Sequence, residues 1–336
     1  MAEERIAVIG AGSWGTALAK LVSDKGLPVN LWAHRREHVE AIGRDRENKQ
    51  YLAGYPLADC LTVTHDLAEA VRHCQVILMV VPSHGYREVF SELVPHLANG
   101  AIVVSATKGI ENETLMTMTQ VMEDVLPEGS GCHLGVLSGP SFAKEVAAGI
   151  PTAVTAAAYT QSEAKRIQSV FSNDRFRVYA SVDVIGLELG GALKNIIAIA
   201  AGICDGLGYG TNTRAGLITR GLAEISRLGV KMGANPLTFS GLGGLGDLVL
   251  TCTGDLSRNR HVGLELGKGK KLKEILDAMG MVAEGVKTTK SSYNLARREG
   301  VEMPILEQVY QVLYQDKPCK DAVHDLLSRN LKGELE

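Results

Sequence analysis

Short apolar runs alternate with amphipathic segments over the first 180 residues of the chain. Eight of these runs are rich in β-branched residues and predict β-strands. They cover residues 5–9, 29–33, 61–64, 76–81, 101–105, 134–137, 153–157 and 176–180. Because helix-like segments lie between most of them, the pattern favours a largely parallel, doubly wound sheet with helices on both faces. Such sheets bind ligands beyond the carboxyl ends of their strands, so functional residues are expected there.

Beyond residue 181 the strand-like runs stop and long helical patterns follow. They cover residues 183–204, 213–228, 272–280, 288–299, 305–314 and 320–329. Two glycine-rich passages, 206–210 and 241–246, interrupt them. We therefore predict an α/β domain over residues 1–180 and an all-α domain over residues 181–336.

A glycine-rich turn follows the first predicted strand. Gly10, Gly12 and Gly15 stand in the order G-x-G-x-x-G, and a helix-forming run begins at Thr16. The first glycine permits a tight turn, the second lets the backbone approach a pyrophosphate, and the third lets the helix pack closely on the strand. An anion bound there lies at the positive end of a helix. In this context residues 10–15, here termed the glycine turn, predict a Rossmann-like domain that binds a dinucleotide; an ordinary glycine-rich turn is the alternative.

The end of the second predicted strand indicates which dinucleotide is bound. NAD-specific sites carry Asp or Glu there, where the carboxylate binds the ribose 2′-hydroxyl. In this chain His34, Arg35 and Arg36 follow the strand, and the first acidic residue is Glu37. A guanidinium can bind a 2′-phosphate in bidentate fashion, whereas a carboxylate repels it. We therefore predict that NADPH is accepted, with Arg35 as a contact; NADH use stays open, and a solvated basic turn is the alternative.

The overall composition disfavours several other classes of protein. A net charge of −3 without a long basic block argues against nucleic-acid binding. The six cysteines are dispersed and lack metal-ligand spacing, which favours reduced thiols in the cytoplasm and no metal site. The first strand begins near residue 5, which leaves no room for a signal peptide. The longest apolar stretch, 185–204, contains Glu188, Lys194 and Asn195, which disfavours a membrane span.

Two ionisable residues in apolar surroundings are candidates for proton chemistry. Lys194 lies in a predicted helix with hydrophobic residues on every face, and Asp247 follows the second glycine-rich passage. Desolvation lowers a lysine pKa and a nearby carboxylate raises it, and an ammonium tuned in this way can exchange a proton with a carbonyl or alcohol oxygen. Asp247 is the predicted partner that orients Lys194. A lysine that reaches the surface and an aspartate that caps a helix are the alternatives.

A polar run at residues 257–260, Ser-Arg-Asn-Arg, is predicted to bind a phosphate monoester. Its hydroxyl, guanidinium and amide donors can complete the oxygen shell of a phosphate; a polar surface loop is the alternative. Lys108, after the fifth predicted strand, is either a further cation at the sheet edge or a simple loop lysine. An alcohol dehydrogenation without zinc needs a protein cation to polarise the oxygen, which favours Lys194.

These motifs together resemble the bacterial NAD(P)-dependent glycerol-3-phosphate dehydrogenase family from Ile6 to about Leu327. The matching segments are 10–19, 81–84, 106–109, 138–143, 190–195, 244–247, 257–260, 282–285 and 303–304. The resemblance implies a Rossmann-like domain followed by a helical domain, with the site between them. It also implies the reversible reduction of dihydroxyacetone phosphate to sn-glycerol 3-phosphate, which supplies glycerophospholipid biosynthesis.

The same resemblance assigns roles to individual residues. Lys194 is implied as the proton-exchanging group, with Asp247 beside it. Substrate contacts are implied for Lys108, Gly139, Ser141, Lys194, Asp247, Ser257, Arg258 and Asn259. Dinucleotide contacts are implied for Ser13 and Trp14 of the glycine turn and for His34, Arg35, Lys108, Ala143, Arg258, Val282 and Glu284.

Two other functions stay open at this point. A β-hydroxyacid-type dehydrogenase would share the two-domain plan and the helical lysine, but Asn195 directly after that lysine and the run at 257–260 fit a phosphate dianion better. A non-catalytic NADPH sensor needs the glycine turn but not Lys194, Asp247 and Arg258 together. The expected partner is a small-molecule substrate, and apolar surface on the helical domain could support a homodimer.

Overall fold

A computed structural model describes residues 4–279, 283–331 and 333–334 of the protein. Its N-terminal half contains the predicted strands. They are β1 (Ile6–Ile9), β2 (Val29–Trp32), β3 (Leu61–Thr64), β4 (Val76–Met79), β5 (Ile102–Ser105), β6 (His133–Ser138), β7 (Thr152–Ala158) and β8 (Phe176–Ser181). The predicted α/β organisation of this half is confirmed, and the strand ends differ from the prediction by at most two residues.

The strands form one sheet in the order β3-β2-β1-β4-β5-β6-β7-β8. Neighbouring strands run parallel except for β6 and β7, which are antiparallel, so the sheet is mixed. The strand order reverses at β1, which pairs with β2 on one side and with β4 on the other. The crevice at this reversal is the place where doubly wound sheets bind ligands.

Helices cover both faces of this sheet. They are α1 (Ser13–Ser23), α2 (Arg36–Asp45), α3 (Leu67–Val71), α4 (Tyr86–Leu93), α5 (Met118–Val125), α6 (Ala143–Ala147) and α7 (Gln161–Phe171). Alternate side chains of β1 show why both faces need cover. Ile6 and Val8 pack in one apolar cluster, and Ala7 and Ile9 pack in another. Because successive side chains of a strand point to opposite faces, β1 is buried on both sides.

The C-terminal half is helical, as predicted. Its helices are α8 (Val184–Gly206), α9 (Thr211–Lys231), α10 (Pro236–Phe239), α11 (Asp247–Thr253), α12 (Arg258–Gly267), α13 (Leu272–Met279), α14 (Glu284–Arg298), α15 (Pro304–Tyr314) and α16 (Cys319–Leu327). The alternative of a surface loop at 257–260 is wrong, because Arg258 begins α12. β8 ends at Ser181 and α8 begins at Val184, which supports the proposed domain boundary near residue 181.

Helix α8 forms the centre of the helical half. Its residues Ile196, Ile199 and Ile203 belong to the large apolar cluster of this half, and its side chains are buried on every face. A helix that is apolar all round is typical of a protein core. Among the described residues it is also the one helix with the length and hydropathy of a membrane span, but it lies inside the protein, packed against α9, α11, α12 and α14.

Helices α8 and α12 touch backbone to backbone. A Cβ added at Gly202 would overlap the carbonyl oxygen of Arg260, and a Cβ added at Gly263 would overlap that of Ile199. Two further glycines make the same close approach one turn later. Because no side chain separates the two helices, α12 has a fixed position relative to the helix that carries Lys194.

Glu188 joins α8 to the sheet domain. Its buried carboxylate accepts hydrogen bonds from the hydroxyl of Thr119 and, at 2.8 Å, from the Thr119 backbone N–H in the first turn of α5. Burial raises the pKa of Glu188, although the hydrogen bonds oppose that effect. A carboxyl group in this position satisfies a helix N-terminus that would otherwise lack an acceptor. The contact therefore holds α8 against the sheet domain.

Candidate active site

The glycine turn lies at the strand reversal and its three glycines have different surroundings. Gly10 has a φ of +122°, and a Cβ there would lie 2.6 Å from the carbonyl oxygen of Val80. A Cβ at Gly15 would overlap the carbonyl oxygen of Gly10, so α1 packs directly on the end of the strand. Around Gly12, at the N-terminal end of α1, no described atom beyond its own chain neighbours lies within 4 Å of the Cβ position. The backbone is open to an anion there, which fits a dinucleotide pyrophosphate.

Two more predicted dinucleotide contacts are Trp14, within this turn, and Ala143, on a helix that packs against α1. The indole N–H of Trp14 is buried and has no hydrogen-bond partner among the described residues. Ala143 begins α6, which packs against α1. Because buried donors almost always find an acceptor, the unpaired indole of Trp14 fits a site completed by a ligand.

Asn48 holds the glycine turn in place, and the sequence contains no pattern that predicts this role. Asn48 is buried, and its side-chain amide donates to the carbonyl oxygen of Ala11 at 2.9 Å and to the hydroxyl of Thr16 at 2.8 Å. Ser13 donates its hydroxyl to the carbonyl oxygen of Tyr51 at 2.7 Å. The segment between α2 and β3 therefore stabilises the conformation of the glycine turn through these hydrogen bonds.

Basic side chains follow β2, as predicted. Arg35 is exposed at the N-terminus of α2, and its Nη2 donates to Gln50 Oε1 at 3.2 Å and to the Tyr51 hydroxyl at 3.4 Å. His34 is also exposed, and its ring lies edge-on to Trp32 with 5.9 Å between ring centroids. A cavity of about 280 Å³ opens beside Arg35. The arrangement leaves a guanidinium and an imidazole at the end of β2, where a ribose phosphate would lie.

Two lysines share one buried carboxylate at the carboxyl edge of the sheet. Lys194 on α8 donates to Asp247 Oδ1 and, at 2.7 Å, to the hydroxyl of Thr251. Lys108, which follows β5, lies 2.6 Å from Asp247 Oδ2. The side chains of Lys194 and Asp247 are 8% and 1% exposed. Lys194 therefore does not reach the surface, and the Asp247 carboxylate binds lysines instead of capping its helix.

Burial and charge act against each other on the pKa values of this cluster. Burial lowers the pKa of Lys194, Asp247 raises it and Lys108 lowers it again, with the result at about 8. Burial raises the pKa of Asp247, but the two ammonium groups outweigh burial and hold it below its usual value. At neutral pH Asp247 is therefore ionised, and Lys194 is protonated but close to the pH at which it releases its proton.

Thr251 belongs to this cluster although the sequence analysis does not assign it a role. Its hydroxyl donates to the carbonyl oxygen of Asp247 at 2.6 Å and so presents its lone pairs to Lys194. A usable signal exists in the sequence, because residues four apart on a helix lie on the same face. With Thr251, both described partners of the Lys194 ammonium are acceptors held on α11.

The N-terminus of α12 presents a group of hydrogen-bond donors. Ser257 caps the helix, since its Oγ accepts from the backbone N–H of Arg260 at 3.2 Å and keeps its own hydrogen available. Asn259 Oδ1 accepts from the backbone N–H of Gly285 at 3.0 Å, which leaves the NH₂ group of Asn259 as a donor. Arg258 lies between them at the positive end of the helix. The structure thus brings three predicted phosphate contacts together.

Arg260, the last member of the same polar run, does not join this group. Its guanidinium lies against the carboxylate of Asp205, with Nη2 and Oδ2 2.8 Å apart. The prediction that the whole run 257–260 supplies donors to one phosphate is therefore too broad, because the fourth residue points to another partner.

The turn after β6 carries the remaining substrate contacts implied by the sequence. Gly139 has a φ of +144°, a conformation that favours glycine. Its carbonyl oxygen accepts from the hydroxyl of Ser141 at 2.9 Å and from Lys108 Nζ at 3.2 Å. Lys108 therefore links the ends of β5 and β6 to the carboxylate of Asp247.

The far side of the cleft carries Glu284, at the start of α14. Its carboxylate accepts from the hydroxyl of Ser83, in the segment after β4, at 2.7 Å. Burial lowers the pKa of Arg258, and the negative charge of Glu284 opposes that effect. Glu284 therefore contacts the sheet domain through Ser83 and lies near enough to Arg258 for their opposite charges to interact. Val282, another predicted dinucleotide contact, lies outside the described residues.

Comparison with known proteins identifies the family. Sequence models of the NAD-dependent glycerol-3-phosphate dehydrogenase N-terminus and C-terminus match residues 5–164 and 183–324. A protein named glycerol-3-phosphate dehydrogenase (NAD(P)+) from Geobacter sp. (strain M21) is 59% identical over 331 residues, which are 98% of this chain and 99% of that relative. The chain belongs to the NAD-dependent glycerol-3-phosphate dehydrogenase family. The predicted family and the predicted enzyme class, an NAD(P)-dependent oxidoreductase, are thereby confirmed.

Other relatives extend the match to solved structures. A protein of the same name from Desulfotalea psychrophila is 58% identical over 332 residues, which are 98% of this chain and 98% of that relative. The crystal structure of glycerol-3-phosphate dehydrogenase from Coxiella burnetii is similar to this fold with a TM-score of 0.93 at 42% identity, covering 97% of this chain and 99% of that one. The two-domain architecture expected from the sequence is therefore shared with a crystallographically determined member of the family.

Proposed function

We propose that this enzyme reversibly reduces dihydroxyacetone phosphate to sn-glycerol 3-phosphate with NADPH or NADH, with Lys194 as the proton donor. The observation that carries the proposal is the position of the Lys194 ammonium. It is buried against Asp247 at the carboxyl edge of the sheet, where Lys108, which follows β5, reaches the same carboxylate. The product serves glycerophospholipid biosynthesis in this interpretation.

The dinucleotide fits the open backbone at Gly12 and the unpaired indole of Trp14. Ser13, Ala143 and Glu284 complete the proposed contacts along the cleft, with His34 and Arg35 at the ribose phosphate. When bound, the reduced nicotinamide supplies the hydride for carbon C2 of the ketone. The glycine turn, which is held in place by the hydrogen bonds of Asn48, would fix the position of the dinucleotide while the substrate binds.

The phosphate of the substrate is proposed to bind at the N-terminus of α12. Ser257 and Asn259 keep donor hydrogens available, and Arg258 adds a positive charge. Because the phosphate does not react, its binding energy can be used to orient C2 and its oxygen. Gly139 and Ser141 border the substrate on the sheet side.

Lys194 is proposed to give its proton to the oxygen on C2 as negative charge develops there. Asp247 and Thr251 hold the ammonium in position, and Lys108 adds a second positive charge over the substrate oxygens. A cation fixed in advance next to a developing alkoxide stabilises the transition state without reorganisation. In the reverse direction the neutral amine of Lys194 accepts the proton of the alcohol.

Addition of dihydroxyacetone phosphate to the purified protein and NADPH tests the function directly. We expect the reduced-nicotinamide absorbance to fall, and glycerol 3-phosphate to form in equal amount. Parallel assays with the oxidation substrates 3-hydroxyisobutyrate and 6-phosphogluconate, each with NADP+, examine the β-hydroxyacid-type alternative. Turnover of either at a higher kcat/KM than glycerol 3-phosphate contradicts the proposal, and NADPH binding without turnover of any substrate points to the sensor.

Arg35→Asp is expected to shift the cofactor preference from NADPH towards NADH. The substitution removes the guanidinium beside the cavity at the end of β2 and places there a carboxylate, which repels a 2′-phosphate and can accept from a 2′-hydroxyl. We expect the ratio of kcat/KM for NADPH to that for NADH to fall about tenfold or more, the effect of one charge-assisted contact. Arg36→Asp, one residue further along the helix, is the matched control. An unchanged ratio in Arg35→Asp removes Arg35 from the dinucleotide site.

We infer a cytoplasmic location and a homodimer. All six cysteines are free thiols, as in proteins of a reducing compartment. Exposed apolar side chains of the helical half, among them Leu237 and Leu256, are the surface that association of two copies would cover.

A further inference from the structure

Arg260 stands in the phosphate-binding run, yet its side chain is directed to a carboxylate of another helix. Its Nε and Nη2 donate to Oδ2 of Asp205 at 2.9 and 2.8 Å. Its Nη1 lies 2.9 Å from Asp255, whose side chain is 97% exposed, so solvent screens that second pair. The Asp205 side chain is 7% exposed. The contact with Asp205 is therefore the one that fixes the guanidinium.

Asp205 also binds Arg214, in the first turn of α9. Its Oδ1 accepts from Nε and Nη2 of Arg214 at 3.0 and 2.5 Å. One carboxylate thus receives four N–H donors from two guanidinium groups. Asp205 lies in the last turn of α8, where the helix dipole disfavours a negative charge. The two guanidinium groups offset that unfavourable placement, and charge-assisted paired contacts of this kind fix geometry as well as energy.

Asp205 lies on the helix that carries Lys194 and binds a residue of the helix that carries the phosphate donors. It is on the same helix as Lys194, about three turns further along. Arg260 is in the first turn of α12, directly after Arg258 and Asn259. The ion pair therefore ties the helix of the proposed proton donor to the turn that presents the phosphate donors, at a point where the two helix backbones already touch.

We propose that Asp205 is a positioning residue for the phosphate group of the substrate and that it acts through Arg260. The proposal rests on the proposed function, because it takes the N-terminus of α12 as the phosphate site. The backbone contact with α8 sets the position of α12 as a whole, and the contact between Asp205 and Arg260 adds a side-chain anchor to its first turn. Without the Asp205 carboxylate we expect the donors of Ser257 and Asn259 to be less accurately aligned. Displacement of a positioning group by about 1 Å can reduce a rate about a hundredfold.

Asp205→Asn tests the proposal with little change in side-chain volume. We expect KM for dihydroxyacetone phosphate to rise about tenfold or more. The KM for NADPH and the kcat/KM for unphosphorylated dihydroxyacetone should stay near the wild-type values, because neither depends on the phosphate site. Arg260→Lys should give the same pattern, since a lysine cannot form the two-pronged contact. This second variant also keeps the test decisive if Asp205→Asn does not fold.

Arg214→Lys is the matched control, because it removes the other guanidinium from the same carboxylate without touching α12. We expect KM for dihydroxyacetone phosphate to stay near wild type in this variant, even where the melting temperature falls. An unchanged KM in both Asp205→Asn and Arg260→Lys overturns the proposal. A loss of kcat/KM of equal size for dihydroxyacetone phosphate, NADPH and dihydroxyacetone also overturns it. So does a rise of KM for dihydroxyacetone phosphate in Arg214→Lys equal to that in Asp205→Asn. Either result indicates general damage to the fold.

The wild-type enzyme separates this proposal from the proposed function. A wild-type kcat/KM that is much higher for dihydroxyacetone phosphate than for dihydroxyacetone establishes a phosphate site, and the variants then decide whether Asp205 positions it. Equal use of the two ketones contradicts the phosphate site itself, and with it both the proposed substrate and the role of Asp205.

Discussion

Lys194→Ala is expected to lower kcat for dihydroxyacetone phosphate about a thousandfold, the size of effect typical of a general acid. KM for the same substrate should change little, because the phosphate donors at Ser257 and Asn259 are anchored independently of Lys194. Steady-state kinetics at saturating NADPH measure both constants. Lys231→Ala, at the exposed end of α9, is the control for loss of a lysine elsewhere. Wild-type kcat in Lys194→Ala excludes Lys194 as the proton donor.

The pH dependence of the wild-type enzyme provides a second test of the same residue. Burial is the main cause that lowers the pKa of Lys194, which lies at about 8. Ketone reduction needs the protonated form, so its kcat/KM, which reports ionisation of the free enzyme, should fall as the pH rises through about 8. Oxidation of glycerol 3-phosphate needs the neutral amine, so its kcat/KM should rise over the same interval. Profiles that move in the same direction for the two reactions contradict the assignment.

Gly263→Ala is expected to lower the free energy of unfolding by about 3 kcal/mol, the upper end of typical overpacking effects. The added methyl group would overlap the carbonyl oxygen of Ile199, a backbone atom of α8 that has no rotamer by which to move away. Separation of α8 and α12 should also raise KM for dihydroxyacetone phosphate, because Lys194 and the phosphate donors lie on these two helices. Urea denaturation followed by circular dichroism, together with steady-state kinetics, measures both effects.

Gly216→Ala is the matched control for this prediction. Gly216 lies within helix α9, and apart from the neighbouring backbone of that helix no described atom is within 4 Å of the position its Cβ would take. Alanine in an open helical position should stabilise the protein by about 0.5–1 kcal/mol, because it restricts the unfolded chain and favours the helix. Gly263→Ala with a stability equal to or above that of Gly216→Ala contradicts the proposed close contact of the two helices.

The sheet domain could be predicted because its signals are local. Each strand is a short β-branched run, and the glycine turn follows β1 within six residues. The start of α12 also carries a local signal, because Ser257 is a good N-cap residue. The polar residues that follow Ser257 resemble a surface loop and mask that signal. Local patterns thus predict the strands and the longer helices, but they do not predict α10, α11 and α12, which lie between the predicted segments 213–228 and 272–280.

The contacts that assemble the site could not be predicted from local patterns because they join distant parts of the chain. Lys194 and Asp247 are separated by 53 positions, and Glu188 and Thr119 by 69. Their pairing depends on how α8 packs, which helical periodicity does not specify. The chemistry of two ionisable residues in apolar surroundings suggested the pair of Lys194 and Asp247, and the family resemblance agreed with it. Neither pointed to Asn48, whose hydrogen-bond partners belong to the glycine turn.

The shared carboxylate makes the strength of the acid depend on contact between the two halves of the molecule. Asp247 and Lys194 belong to the helical half, whereas Lys108 arrives from the end of β5. Beyond the effect of burial, Lys108 lowers the pKa of Lys194. Any opening of the cleft that withdraws Lys108 and admits water therefore leaves Lys194 a weaker acid. If the cleft closes around the substrate, the return of Lys108 and the loss of water would lower the pKa of Lys194 while the ketone is bound and can accept its proton.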